Sequence, residues 1–426
     1  MSSTCRWLRA ASASVLFRSC RQYLGEIPWE GTDYEIFPST LWSHIQSVGD
    51  PFSVNATDDN CCRTLHISCY CPPHGQRDPD IVDPLICGPI SALDTVLPAL
   101  PRLTTLHLRV RYIDVHGISW TTTRRILSLP HLRHLHIDGL YVCPELLDSD
   151  SLDDATLVPL TTFHYTMPDY RQPWSFPSEV ATLDFLVRRL YASLESLMLP
   201  VESAPIRTIS SLHWPRLREF SLRGERWSDP ATPIVTLFSS MPSLQSLALE
   251  LSERENAIAG VVWQKGLSAT FPWPRLRSLR VSHSDPIDEV YSHLPSSLRC
   301  LALRSWPHEC ERVYQLMAQY LNTSQLEGYR RRWWSYPLST PHNLAEVLQK
   351  CDLPFLRTLE LEYREDAQEP ELLQLVVTKF SYLTTLEIHR FRREGCKDVP
   401  VVSLLFPCVS SLYADPSIRR KTWRVF

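Results

Sequence analysis

A short pattern of apolar residues recurs about a dozen times along this chain and limits what the chain can fold into. Each copy has a leucine, then a leucine or aromatic residue three positions later, then an apolar residue two positions after that. The clearest copies begin at Leu103, Leu132, Leu194, Leu217, Leu244, Leu276, Leu298, Leu356 and Leu383, and weaker copies begin at Cys62, Leu160 and Val409. A motif repeated at this period indicates stacked units rather than one closed core.

Each copy of the motif is predicted to be a short strand. Alternate side chains of a strand point to the same face, so the second and third apolar residues lie on one side. Burial of an apolar side chain contributes roughly 1.5–3 kcal/mol, which is too little for one copy to offset the entropy of ordering it. Neighbouring copies are therefore expected to stack and share a core.

Helical patterns lie between the strands. The apolar stripes with helical spacing are Val180, Leu183, Val187 and Leu190; Ile234, Leu237 and Phe238; Leu344, Val347 and Leu348; and Leu372, Val376 and Phe380. Prolines two residues before the first leucine are expected to end each helix; they are Pro101, Pro130, Pro215, Pro242, Pro274, Pro354 and Pro407. This alternation predicts an α/β leucine-rich-repeat solenoid over residues 59–426, with a curved parallel sheet inside, helices outside and about 11–13 irregular repeats.

Two departures from a regular repeat are visible. Many leucine-rich repeats carry an asparagine three positions after the third apolar residue, but this chain has Arg111, Leu140 and Glu225 at such positions. Irregular turns are expected there. The interval between Leu298 and Leu356 is about twice the usual period, which predicts an additional irregular repeat near Leu326.

Composition argues against several classes of function. A net charge of −4 provides no bulk attraction to nucleic acid or membranes, and no apolar run reaches the roughly 18 residues that cross a bilayer. The cationic and aromatic segment 329–334 is interpreted as a solvated loop. The 13 cysteines are scattered, which is typical of reduced thiols in the cytoplasm, the nucleus or both. No catalytic motif is present, so neither an enzyme nor a cofactor is predicted.

One cluster of thiols and imidazoles has the residue types of a zinc site. Its members are Cys61, Cys62, His66, Cys69, Cys71 and His74. The cluster lacks the repeated Cys-x-x-Cys spacing of such sites, and Cys62 already begins a strand motif. No metal site is predicted.

Strand geometry selects a candidate partner-binding face, made of the residues that alternate with the buried ones. The candidates are His107, Arg109, His134, His136, Arg223, Arg280, Arg304, Glu360, Glu362 and Glu387, with His164 and His389 on the same face. They describe a gradient from a basic, histidine-rich end to an acidic end, which suits a partner protein with opposed charges. The alternative is that these residues are polar only because the face is exposed to solvent. Replacement of Glu362 by alanine is expected to leave stability almost unchanged and to alter only partner binding.

The N-terminal segment carries a resemblance to a known family. Residues 4–21 read TCRWLRAASASVLFRSCR, with a Cys-Arg-x-x-Arg start followed by Leu16-Phe17-Arg18. This resembles the last helix of an F-box, and the whole chain resembles the F-box/leucine-rich-repeat proteins, particularly the divergent fungal type. The resemblance implies that the segment docks on a Skp1-like adaptor and that the repeats hold a protein substrate for an SCF-type cullin-RING ubiquitin ligase. The implied docking residues are Cys5, Trp7, Leu8, Val15, Leu16 and Phe17.

The resemblance also sets a domain organisation. Residues 1–24 are expected to form a short N-terminal helix, the remnant of the last F-box helix, and residues 25–58 a linker. The earlier F-box helices have no counterpart in this sequence, so either the true start lies upstream of Met1 or adaptor binding is weak.

Two other interpretations of the segment stay open, a nonspecific helix and a mitochondrial transit peptide, because four arginines precede the first acidic residue, Glu26. The predicted function is substrate recognition for a ubiquitin ligase; the alternative is a free-standing leucine-rich-repeat scaffold.

Overall fold

A computed structural model describes residues 19–24, 62–69, 85–86, 93, 97, 100–110, 116–143, 157–167, 176–225, 232–252, 261–268, 270–306, 338–391 and 422–425. The chain divides into two compact units, Met1–Thr208 and Ile209–Phe426, called unit 1 and unit 2 below.

The strands of unit 1 are β1 (Ser19–Leu24), β2 (Thr64–Cys69), β3 (Leu85–Ile86), β4 (Thr105–Val110), β5 (His116–Ile118), β6 (His134–Asp138), β7 (Tyr141–Val142), β8 (Thr162–Thr166) and β9 (Ser196–Pro200). Its helices are α1 (Trp120–Leu127) and α2 (Pro177–Leu190). A short helix, α3 (Ile206–Ser211), contains the boundary between the units.

The strands of unit 2 are β10 (Glu219–Glu225), β11 (Ser246–Ser252), β12 (Ser278–Ser282), β13 (Cys300–Arg304), β14 (Thr358–Arg364), β15 (Thr385–Phe391) and β16 (Thr422–Val425). Its helices are α4 (Ile234–Leu237), α5 (Val290–His293), α6 (Pro341–Lys350) and α7 (Glu369–Lys379).

In each unit the motif strands form one parallel sheet in chain order. The order is β1-β2-β4-β6-β8-β9 in unit 1 and β10 to β16 in unit 2. Equivalent residues of successive repeats are direct partners, as in the pairing of Leu247 with Leu279 and of Leu279 with Leu301. Each unit is therefore an α/β leucine-rich-repeat stack, which confirms the predicted fold class.

The repeat leucines form the buried face of each sheet. All nine clear copies bury their three apolar residues, and so do the copies that begin at Cys62 and Leu160; the copy at Val409 lies outside the described residues. The second position forms a continuous apolar column. In unit 2 this column contains Phe220, Leu247, Leu279, Leu301, Leu359 and Leu386, each at most 2% exposed. Stacking of identical positions gives each repeat the core that it lacks alone.

The prolines before the strands begin turns. In Leu100-Pro101-Arg102-Leu103 the Leu103 amide donates a hydrogen bond to the Leu100 carbonyl at 3.1 Å. The fixed φ of proline suits the second position of such a turn. The same i to i+3 bond closes the turns that contain Pro130, Pro242, Pro274 and Pro354. These prolines therefore do more than end a helix, because they also form the turn that leads into the next strand.

The predicted helical stripes are found on α2, α4, α6 and α7. Leu183, Leu344 and Leu372 have no exposed surface, whereas Val180 and Leu237 are half-buried. Two helix starts are capped by hydroxyl side chains. The Ser119 Oγ accepts from the Thr122 amide before α1, and the Thr340 Oγ1 accepts from the Asn343 amide before α6, both at 3.2 Å.

Two expectations about chain organisation are corrected. Residues Ser19–Leu24 are not the end of a helix, because they pair in parallel with β2 as strand β1; residues 1–18 lie outside the described part. No strand from an additional repeat near Leu326 separates β13 from β14, because Cys300 and Leu301 pair directly with Thr358 and Leu359.

The position usually held by asparagine has another role in unit 1. A second parallel sheet, β3-β5-β7, follows the main strands there. The chain reaches β7 through Gly139, whose φ is +76° and where a Cβ would lie 2.6 Å from the Val110 carbonyl oxygen. Only glycine fits this turn without strain. Leu140, which stands in place of the asparagine, is fully buried.

Within the described residues, no helix has the length and apolar character needed to cross a bilayer.

Replacement of Leu247 by aspartate tests the apolar column. Leu247 is fully buried, so the variant places an unpaired carboxylate among leucines of adjacent repeats. We expect a loss of about 3–5 kcal/mol in the free energy of unfolding, measured by urea denaturation. The matched variant Gln245→Asp, at a half-buried position two residues earlier, is expected to retain nearly full stability. Equal losses in both variants would contradict the assignment of faces.

Candidate partner-binding faces

The open face of each sheet is the face opposite the leucines, and in unit 1 it carries a column of four histidines. His66, His107, His136 and His164 occupy one register row on β2, β4, β6 and β8. The first two rings are stacked with centroids 4.1 Å apart, and the His107 and His136 rings are stacked at 4.0 Å. The His164 ring meets the His136 ring edge-on at 4.6 Å. Identical side chains stack because adjacent strands lie about 4.8 Å apart.

The two central imidazoles of the histidine column are uncharged at neutral pH. Burial, followed by the neighbouring histidines, lowers the pKa of His107 to about 4 and the pKa of His136 to about 4. The predicted basic end of a charge gradient is therefore wrong for these two residues. The centre of the column instead presents two neutral rings, and a neutral imidazole can donate one hydrogen bond and accept one.

Two histidines of this face are tied to hydroxyl groups of the next strand. The His134 Nδ1 lies 2.9 Å from the Thr162 Oγ1, and the His164 Nε2 lies 2.8 Å from the Ser196 Oγ. These bonds fix the ring orientations at the edge of the column.

A pocket of about 340 Å³ lies over the histidine column. Arg109 and Asp138 line it and form an ion pair at 3.0 Å, and Asp138 also accepts a hydrogen bond from the Thr166 hydroxyl at 3.0 Å. Met198 adds an apolar wall. The pocket thus combines uncharged imidazoles with one fixed ion pair, an arrangement that suits a polar protein segment.

The open face of unit 2 is built around a buried glutamate. Glu250 on β11 is 1% exposed and is surrounded by three arginines from other strands. It forms an ion pair with Arg223, lies 3.1 Å from Arg304 and lies 3.4 Å from Arg280. The three predicted arginines are therefore brought together around one carboxylate, which neutralises part of their charge.

The charge pairing continues toward the C-terminal strands. Arg304 also contacts the Glu360 Oε1 at 2.6 Å, and the His389 Nε2 lies 3.5 Å from that oxygen and 3.2 Å from the Glu387 Oε1. Burial alone would lower the pKa of His389, but the hydrogen bond to Glu360 and the nearby carboxylates outweigh it and raise the pKa of His389. Positive and negative groups are thus paired across strands from β10 to β15, although β12 and β13 both carry an arginine.

One donor set in unit 2 has metal-like spacing. Atoms of Glu360, Glu387 and His389 lie within 4.8 Å of one another. These groups already bind each other and Arg304, and the raised pKa of His389 favours a proton on that ring. The described residues therefore favour an ion-pair network at this place.

Glu362 is not the exposed residue that strand alternation predicted. Its side chain is 2% exposed and accepts hydrogen bonds from the Ser305 hydroxyl and, at 3.3 Å, from the Ser305 amide. Removal of the carboxylate would leave buried donors without acceptors, which destabilises a fold. The expectation that Glu362→Ala leaves stability unchanged is therefore wrong.

Glu250 was missed by the sequence analysis. Alternation within a single strand places it among solvent-facing residues. The available signal was the comparison between repeats, because Glu250 is the partner of Arg223 in the adjacent strand and Arg304 has the same motif position. Opposite charges at equivalent positions of a parallel stack become neighbours.

The implied adaptor-docking residues Cys5, Trp7, Leu8, Val15, Leu16 and Phe17 lie outside the described residues, as does segment 329–334. Of the cysteine and histidine cluster, Cys62 and His66 have described side chains, and they belong to the first repeat of unit 1.

Comparisons with known proteins give no family assignment. No protein-family model and no curated protein match the chain. Among solved structures, the chain is similar to one described as the crystal structure of the Rad7 and Elc1 complex in yeast, with 15% identity over 80% of this chain and 73% of that chain and a TM-score of 0.38. Similarity at this level does not extend to function.

The histidine column predicts a pH dependence of stability. Between pH 6.5 and 4 the unfolded chain binds protons that folded His107 and His136 do not bind, so the free energy of unfolding falls as the pH is lowered through this range. The double variant His107→Gln/His136→Gln is expected to show a shallower fall, measured by urea denaturation at pH 7.0, 5.5 and 4.5. The exposed His131→Gln variant serves as the control. Parallel pH profiles for the double variant and the unaltered protein would contradict the burial of uncharged rings.

The arginines around Glu250 predict that removal of this one negative charge strongly destabilises the fold. Glu250→Gln keeps the shape of the side chain but leaves Arg223, Arg280 and Arg304 without their shared counter-charge. We expect a loss of about 3 kcal/mol in unfolding free energy, at the lower end for a broken buried ion pair because the arginines retain partial exposure. Glu346→Gln, on the exposed side of α6, should change stability by less than about 0.5 kcal/mol. A loss below that of the control would contradict the role of Glu250 as the shared counter-charge of the three arginines.

Proposed function

We propose that this protein is a non-catalytic protein-interaction module that recognises substrates for an SCF-type cullin-RING ubiquitin ligase. The observation that carries the interaction role is the open face, where polar residues form partly exposed columns while the leucines are buried. Stacked repeats provide long surfaces of this kind, and a partner can contact several repeats at once.

The ligase role rests on the resemblance of residues 4–21 to the last helix of an F-box. In this proposal the N-terminal segment binds a Skp1-like adaptor through Trp7, Leu8 and Leu16, and the open faces bind a protein substrate. Apolar side chains of this kind are typical anchors of protein interfaces. The proposed location is the cytoplasm, the nucleus or both, in keeping with cysteines that form no disulfide, as at Cys300 and Cys351.

The alternative is a free-standing leucine-rich-repeat scaffold without a ligase. The open faces favour this function equally, because binding there requires no adaptor.

Size-exclusion chromatography of the full chain with a purified Skp1-like adaptor separates these functions. The ligase subunit is expected to elute with the adaptor as a one-to-one complex, and Leu16→Asp should abolish the complex because a carboxylate replaces an apolar anchor. His107→Ala/His136→Ala, on the open face of unit 1, should leave it intact. Absence of a complex with the unaltered chain would reject the ligase role and leave the scaffold.

A further inference from the structure

A second surface of unit 2 lies where the strands begin, away from the columns of the open face. The residues directly before and after the first leucine of each repeat form this strand-entrance edge. In unit 2 they are Arg216 and Arg218, Ser243 and Gln245, Arg275 and Arg277, Ser297 and Arg299, Phe355 and Arg357, and Tyr382 and Thr384. Six of these twelve positions are arginine and none is acidic, although the whole chain has a net charge of −4.

Backbone hydrogen bonds place equivalent residues of this edge side by side in successive repeats. The amides of Arg299 and Cys300 both donate to the Arg277 carbonyl, at 2.7 and 2.9 Å. The amides of Arg357 and Thr358 donate in the same way to the Arg299 carbonyl, at 2.8 and 2.9 Å. An arginine therefore directly precedes each of three successive strands, at the strand spacing of about 4.8 Å.

Like charges at neighbouring positions of a sheet are destabilising unless an opposite charge lies between them. Within the described residues, Arg277 and Arg357 are exposed and form no ion pair, and the same holds for Arg216 and Arg275. On the open face of the same unit the arginines do form ion pairs, because they surround Glu250. The four arginines of the edge thus give it a positive charge that no described acidic residue neutralises through an ion pair.

Two exposed aromatic rings adjoin the arginines. Phe355 is 47% exposed and Tyr382 is 63% exposed, and their ring centroids are 5.9 Å apart. The Arg299 guanidinium lies 5.0 Å from the Phe355 ring centroid. Its Nη1 also donates to the Ser296 and Leu298 carbonyls, at 3.0 and 3.1 Å, which fixes the side chain. Large exposed hydrophobic side chains are few among the described residues, with Ile287 the only other one.

Arginine beside aromatic residues is the composition of interface hot spots, and a guanidinium held in place loses little entropy when it binds a carboxylate. We propose that the strand-entrance edge of unit 2 binds an acidic protein segment whose aromatic side chain packs on Phe355 and Tyr382. A single-stranded nucleic acid is the less favoured occupant, because its phosphates require a strongly positive field and its bases a series of aromatic platforms, whereas this edge has one tilted aromatic pair.

Fluorescence anisotropy with a labelled glutamate–tyrosine copolymer tests the proposal on the full chain. Arg277→Glu/Arg357→Glu reverses two exposed charges of the edge, and we expect its affinity for the copolymer to fall at least tenfold. Arg364→Glu is the matched control, since Arg364 is also exposed and lies on β14 at the end opposite Arg357; its affinity should stay within twofold of the unaltered chain. Tyr382→Ser should weaken binding of the copolymer but not of polyglutamate.

Each outcome decides the proposal. Unchanged binding by the double variant, or an equal fall for Arg364→Glu, would place the copolymer elsewhere and overturn it. Equal affinity for polyglutamate and the copolymer, with no effect of Tyr382→Ser, would overturn the aromatic part. Tight binding of oligothymidine without binding of the copolymer would assign the edge to nucleic acid instead. The exposed substitutions should leave the urea unfolding curve in place, which separates loss of binding from loss of fold.

Discussion

The in-register pairing of parallel strands is the constraint on which the rest of this structure depends. At the start of most described motif strands, two successive amides donate to the carbonyl of the equivalent residue one repeat earlier, as Gln245 and Ser246 do to Arg218. This fixes equivalent motif positions beside each other at the strand spacing. Apolar positions therefore form leucine columns that supply the core. Each of the remaining positions also forms a column, whether its side chains are polar, charged or aromatic.

Columns of one polar residue type require a way to avoid repulsion, and the described residues show two. In unit 1 the stacked rings of His107 and His136 remain uncharged, because burial and their neighbours lower the pKa of each. In unit 2 carboxylates form ion pairs with arginines of other strands, as Glu250 does with Arg223 and Glu360 does with Arg304. Uncharged rings and ion pairs both make the open face less charged than its composition suggests.

The periodic parts of the fold could be predicted from the sequence, but the features that depend on contacts between adjacent strands could not. The leucine triplets and the α6 and α7 stripes follow from spacing within one repeat, and they are buried as expected. Strand β1, the direct pairing of β13 with β14 and the two-residue strands β3 and β7 have no periodic signal of their own. Glu250 and Glu362 show the same limit at the open face, because alternation gives the side of a strand but not the donors on adjacent strands that cover a carboxylate.

The strand-entrance edge of unit 2 avoids charge repulsion in neither of the two ways found on the open face. Its arginines cannot lose their charge at physiological pH, and the twelve edge positions include no acid to alternate with them. The same fold places a carboxylate between arginines a few residues further along β11, so the pairing was available to this architecture. A column of like charge beside two exposed rings is therefore best understood as a surface whose counter-charge comes from another molecule. This separates the edge from the open face, where a partner would have to compete with internal ion pairs for the same groups.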